Sequence, residues 1–428
     1  SHMLPKEQGI VICEEARKVL VGLGALDLTN LNAASAYADV TDSQSRHELY
    51  LGRLTDAQKH SQEVYDIAEK VLAQRPGDLR SLLNRYFAAD MLGTLADRRH
   101  DDVAAKDFTE RSVRAAEEYV RFNPSDMSAW EVWVRNLGVS ADLQWERGEI
   151  AQSLATSRLA VALAQDKRLP SSLEPTLLYE WLRIARAERQ LNHTTASEQA
   201  FQKALRSNAE SIAQYGSNDP LRTIFTLGEN AWRSRLQLID GQAQAALDSS
   251  IKVIDKLKKI QIPESDRNTK LARDNFLRNA YDISSVSEIQ LGRFAQAESL
   301  ARLRLKIPPN DRSTADDPRI ESSAAHALLA HAIAMQGRNS EATEVLAPAL
   351  EFYRIDLKTG AKGTSFRRDY AYALYVSALS QPTTVAGQQQ RAKDLAAANQ
   401  QLKSMTEEAQ NLAIIHRLAT WIAAAQQG

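Results

Sequence analysis

Apolar and polar positions along this chain never settle into sustained alternation with β-branched enrichment, so the pattern predicts no strand. Where the pattern is strong it is helical. Near the end, Leu412, Ile415, Leu418, Trp421 and Ile422 recur at helical spacing. Between Lys252 and Ile260 the lysines interleave with Val253, Ile254, Leu257 and Ile260, which reads as the solvated face of an amphipathic helix. Ala, Leu, Gln, Glu, Arg and Lys dominate elsewhere, and these residues lose little side-chain freedom in a helix.

The helical stretches are punctuated by two kinds of break. One is built on proline, as in Arg75-Pro76-Gly77-Asp78, Asn123-Pro124-Ser125-Asp126 and Pro308-Pro309-Asn310-Asp311. Proline removes a backbone donor and clashes with the preceding turn, and a neighbouring Asp, Asn or Ser then caps the next helix. Pro348 differs because it lies inside an apparent helix, so a kink or a late helix start is expected there. The other break is centred on glycine: Gly52, Gly148, Gly292 and Gly337 head similar segments, with looser copies from Gly241, from Asn192 and from His100.

The small residue closing each glycine-type break falls at 57, 105, 153, 197, 246, 297 and 342, giving spacings of 48, 48, 44, 49, 51 and 45. A proline-type break follows most of them. The chain therefore reads as helix A, glycine turn, helix B, proline turn, about seven times. A glycine ending helix A can adopt a left-handed conformation and reverse the chain. The small residue five positions later lets helix B lie close to helix A. A lone hairpin cannot bury its apolar faces, so successive hairpins must stack, giving an α-solenoid with an extended concave surface.

These units resemble the tetratricopeptide repeat superfamily. The best copy is Gly292-x-Phe294-x-x-Ala297 with Pro309 twelve residues beyond. Ser197, Phe201 and Ala204-Leu205 form another; Leu92-Gly93 and Trp181-x-x-Ile184-Ala185 occupy helix-A positions. At 44 to 51 residues the units exceed the common family length of about 34. Several B helices must carry extra turns, as in long-helix bacterial regulatory solenoids. The resemblance implies an all-α, right-handed solenoid of seven to eight hairpins. Ser1-His2-Met3 reads as a vector scar, 4–33 as a leading helix or cap, 34–360 as the solenoid, and 361–428 as a final hairpin with a capping helix.

Composition narrows the functional classes. Forty-three per cent apolar and 25% charged residues are ordinary for a folded domain. A net charge of −1 provides no long-range positive field, so no direct nucleic-acid or acidic-membrane binding is expected. No apolar run is long enough to span a membrane. A single cysteine, Cys13, excludes an internal disulfide and fits a cytoplasmic location.

No catalytic constellation emerges, so no enzymatic activity and no cofactor are expected. Gly360-Ala361-Lys362-Gly363-Thr364-Ser365 lacks the order of a phosphate loop and no strand precedes it, so it reads as an inter-helix turn. His326 and His331, five apart, are poorly placed to share a metal, and a packed or groove-lining role is favoured. The six tryptophans read mainly as core.

The resemblance also places a binding groove on the A helices. Mapping from the Leu-Gly pairs gives Asp90, Asp97, Arg98, Arg135, Asp142, Arg222, Glu229 and Arg233. Mapping from Ile184-Ala185 gives Tyr179, Arg186 and Arg189; a further extension adds Asn279, Asp282 and His331. Arginine forks suit carboxylates through paired hydrogen bonds. The expected function is a non-enzymatic scaffold or regulatory module taking a protein or peptide partner with acidic groups or a terminal carboxylate. The alternative is a small-signal sensor domain of a larger bacterial regulator.

Overall fold

The computed structural model describes residues 6–98, 101–166, 174–308, 318–359 and 363–427. Among them it holds helices and no strand, as the pattern predicts, and no helix is long and apolar enough to cross a membrane. Ser1-His2-Met3, Pro309-Asn310-Asp311 and Gly360-Ala361-Lys362 lie outside the described residues.

The contacts divide the chain into two compact units. The first contains α1 (Lys6–Gly22), α2 (Leu31–Tyr50), α3 (Leu54–Gln74), α4 (Leu79–Arg98), α5 (Asp102–Phe122), α6 (Met127–Glu146) as far as Leu143, and α7 (Ile150–Asp166) from Ala162. The second contains Gln144–Val161 and then α8 (Glu174–Gln190), α9 (Thr194–Ile212), α10 (Pro220–Ile239), α11 (Ala243–Leu257), α12 (Arg267–Gln290) and α13 (Phe294–Leu305). It continues through α14 (Pro318–Ala334), α15 (Asn339–Thr359), α16 (Thr364–Leu379), α17 (Val385–Lys403), the short α18 (Glu407–Gln410) and α19 (Ala413–Gln427). Within each unit the helices pair in sequence and each pair packs on the next: α2 with α3 and α3 with α4 in the first, α8 with α9 through α16 with α17 in the second. This is the all-α stack of helix hairpins that the repeat spacing implies.

The turn chemistry accounts for the hairpins. Gly52, Gly148, Gly241, Gly292 and Gly337 all have φ between +72° and +78°, and Asn192 stands in for glycine at +64°. At Gly292 the turn amide donates to Ile289 and the next amide, Arg293, donates back to Glu288 at 2.8 Å. The same paired bonds recur at Asn192, from Asn192 to Arg189 and from His193 to Glu188. They satisfy carbonyls that the helix end leaves open. Beyond the turn, Ala57, Ala105, Ser153, Ser197, Ala246, Ala297 and Ala342 are all buried, as close packing of helix B on helix A requires. Asp219, Asp266 and Thr384 cap the helices that follow proline-type breaks. Pro348 does not delay its helix: α15 begins at Asn339 and runs through it.

In the second unit the last hairpin returns to the first. The apolar cluster containing Trp145, Ile150, Trp181 and Phe201 also contains Tyr353, Phe366, Leu395, Ile415 and Ile422. The Thr406 hydroxyl donates to the Gly148 carbonyl at 2.7 Å, and Glu408 accepts from the Ala151 amide at 2.9 Å. Helix α19 lies across this junction. Its Ile414 amide donates to Gln190, and Arg417 donates to the carbonyls of Leu238 and Ile239.

Candidate ligand-binding surface

Successive A helices of the second unit, α8, α10, α12, α14 and α16, lie in direct side-by-side contact. Among the described residues no successive pair of its B helices packs comparably. The layer with the closer spacing is the inner one of a curved stack, so the A helices carry the inner face. The residues predicted for a groove divide sharply when placed on it.

Several of them hold the fold together. Arg189 is buried and donates to Ser197 at 3.1 Å and to Asp240 at 3.1 Å. Arg222 donates to the Tyr215 carbonyl at 3.1 Å, and Glu229 accepts from Asn208 at 2.9 Å. Arg233 lies 4.7 Å from the centroid of the Phe201 ring and pairs with Glu198 at 3.7 Å, which turns it toward helix B. Tyr179 is exposed on α8.

Others meet. Asn279 accepts from Arg235 at 3.1 Å, and Asp282 pairs with Arg304 at 3.2 Å while attracting Arg235. Arg186 lies over the Trp145 ring at 5.1 Å, and its charge acts on Glu146. Glu146 accepts from both the amide and the hydroxyl of Ser365. Burial raises its pKa, against those bonds and against Arg368 and Arg186. Arg368 pairs with Asp369 at 2.7 Å; burial works against its charge, but Asp369 and Glu146 keep its pKa raised. Arg235 is open to solvent yet closely surrounded, and burial followed by the like charge of Arg368 lowers its pKa. Arg235 sits on α10 and Arg368 on α16, and the charge of Arg368 acts on Arg235.

His331 is fully packed. Its Nδ1 lies 2.7 Å from the Tyr372 hydroxyl, with the rings of Tyr375 and Trp421 edge-on to it. Burial lowers its pKa to about 4, so the ring is neutral at ordinary pH. His326 Nδ1 lies 2.7 Å from the Ser322 carbonyl oxygen, and among the described residues no cluster suited to a metal ion occurs.

In the first unit, Asp90 is half-buried near Arg46 and Asp42; burial raises its pKa while Arg46 opposes the rise. Arg46 bonds Asp42 at 2.8 Å and covers the Phe87 ring at 4.7 Å. Arg135 is exposed and pairs with Glu131 at 3.7 Å. Asp97 is half-buried on α4 and Asp142 exposed on α6. The side chain of Arg98 lies outside the described residues.

Sequence mapping missed Arg235, Arg368, Glu146, Tyr375 and Trp421. Arg235 is two positions past Arg233, so a register correction for the long α10 would have found it. Helix α16 has no Leu-Gly pair, so nothing in the repeat pattern pointed to Arg368 or Tyr375.

No family model matches the chain, and no curated protein matches it. Among solved structures, the chain is similar to the tetratricopeptide-repeat domain of P58(IPK), at 12% identity over 98% of this chain and 99% of that one, with a TM-score of 0.21.

Proposed function

We propose that the chain is a non-enzymatic binding module of the helical-repeat kind, which takes a protein or peptide partner on the inner face of its A helices. The observation that carries this reading is Arg235. It is a guanidinium open to solvent, held by Asn279 at 3.1 Å, whose charge is disfavoured by its close surroundings and then by the like charge of Arg368. A carboxylate beside it would relieve that repulsion and accept paired hydrogen bonds. An acidic side chain or a chain-terminal carboxylate on the partner fits this need.

The test is capture of partners on the full chain and on Arg235→Glu. Charge reversal should weaken a true partner at least tenfold while leaving the circular dichroism spectrum unchanged. A partner retained equally by both would remove Arg235 from the site.

A second reading, a sensor for a small signal, is favoured by the return of the last hairpin onto the first through Ser365, Thr406 and Glu408. An enclosed inner face suits a compact ligand better than a long one. A thermal-shift screen with small metabolites separates the two readings: a stabilising metabolite with no captured protein favours sensing.

A further inference from the structure

Where the turns of three successive hairpins of the second unit meet α16 and α19, a cavity of about 800 Å³ opens. It is a concavity open to solvent on one side, and its volume falls within the roughly 300–1,000 Å³ of clefts that take ligands.

Its walls have a definite chemistry. Tyr375 and Trp421 lie nearly parallel, with ring centroids 6.1 Å apart and 27° between planes. His331 stands edge-on to both, at 5.7 Å and 6.3 Å. Met335 lines the cavity and is 44% exposed. Gln242, Gln244 and Gln290 also line it. Among the described lining residues the one formal charge is Arg417, whose two terminal nitrogens already donate to the Leu238 and Ile239 carbonyls at 2.9 and 2.7 Å.

We propose that this cavity binds an uncharged aromatic group, free in a small molecule or carried on a peptide side chain, against the Tyr375–Trp421–Met335 wall. Aromatic faces and a thioether attract a flat ring by offset or edge contacts. Gln242 and Gln290 supply neutral donors and acceptors for its polar substituents. No carboxylate among the described lining residues would favour a cation, and the neutral His331 adds no charge for an anion. The proposal refines the binding-module reading by naming a ligand class at a place distinct from Arg235.

The test uses the full chain and N-phenyl-1-naphthylamine, an uncharged aromatic fluorophore that brightens in apolar surroundings. One saturable site per chain is expected. Met335→Trp fills the cavity without adding charge and Met335→Arg places a cation in it; each should weaken binding at least tenfold. Leu159→Arg, at an exposed apolar position away from the cavity, should leave binding unchanged. Circular dichroism checks folding, and if the arginine variant does not fold the tryptophan variant carries the test. Displacement by indole but not by N-acetyl-Gly-Trp-Gly-amide assigns a free small aromatic; displacement by the peptide assigns a side chain. No saturable site, unchanged affinity in Met335→Trp, or displacement by neither competitor overturns the proposal. Any of these would leave partner capture through Arg235 standing.

Discussion

The Ser365 hydroxyl and the Ser365 amide both donate to the Glu146 carboxylate, at 2.8 and 3.1 Å, although the residues are 219 positions apart. This contact ties the start of α16 to the end of α6 and so joins the last hairpin of the second unit to its first. A buried side-chain hydrogen bond contributes about 0.5–3 kcal/mol, the upper part for a charged partner, and the amide bond survives side-chain truncation. Ser365→Ala should therefore cost about 1–2 kcal/mol in urea denaturation. In a double-mutant cycle with Glu146→Ala, the two losses should fall short of additivity by about 0.5–1 kcal/mol or more. Additive losses would mean that the contact does not hold the ring of hairpins together.

His331 gives the fold a pH dependence of known sign. Its pKa falls from the ordinary 6.5 to about 4 because burial disfavours the imidazolium. Between these values the unfolded chain binds a proton that the folded chain does not. The stabilisation is thus fully present above 6.5 and is lost as pH falls toward 4. At about 1.4 kcal/mol per pH unit, the loss attributable to His331 is about 3 kcal/mol. His331→Gln keeps a hydrogen-bonding group beside Tyr372 but cannot titrate there. Stability measured from pH 7 to pH 4 should fall less steeply in this variant. Identical slopes would show that the buried imidazole is not responsible.

The fold was legible because its determinants are local. Gly292, Asn192 and the small residues from Ala57 to Ala342 stand at the same place in every unit, and each needs only its own turn to act. The binding surface was not legible in the same way. Whether an arginine on helix A faces inward depends on helix length and on what helix B offers it. Arg189 finds Asp240, Arg233 finds Phe201 and Glu198, and neither partner can be read from helix-A spacing. The return of α19 onto Gln190 and Leu238 is a contact across about half the chain. Helical spacing of Leu418 and Ile422 predicts that their face is buried, but not against which elements.

The arginines should consequently separate by experiment into two kinds. Arg189 is buried and donates to Ser197 and Asp240, so Arg189→Met leaves polar groups without their cation. Removing one partner of a buried pair costs about 3–5 kcal/mol. Asp240 is partly exposed, so a loss of about 2 kcal/mol is expected here. Arg235→Gln removes a cation disfavoured by its surroundings and by the charge of Arg368, and should change stability by less than about 0.5 kcal/mol. Thermal unfolding of the two variants side by side is the measurement. A large loss for Arg235→Gln would make that residue structural and withdraw it from the proposed site.

The turns permit a cleaner test, because their cost lies in the backbone alone. At Gly292, φ is +72° and a Cβ would meet nothing within 4 Å, so Gly292→Ala adds no clash. The penalty is the left-handed conformation itself, about 1–2 kcal/mol for a residue with a side chain. Asn192 already bears part of that cost at φ +64°, softened because asparagine tolerates this region better than most residues. Asn192→Gly should therefore stabilise the second unit, by about 0.5 kcal/mol, while Gly292→Ala destabilises it. Both effects should appear as shifts in the urea midpoint with the slope unchanged, since neither variant alters the surface exposed on unfolding. If Asn192→Gly were instead to destabilise the unit, the asparagine side chain would be contributing more than a permissive backbone, and the equivalence of this turn with the five glycine turns would fail.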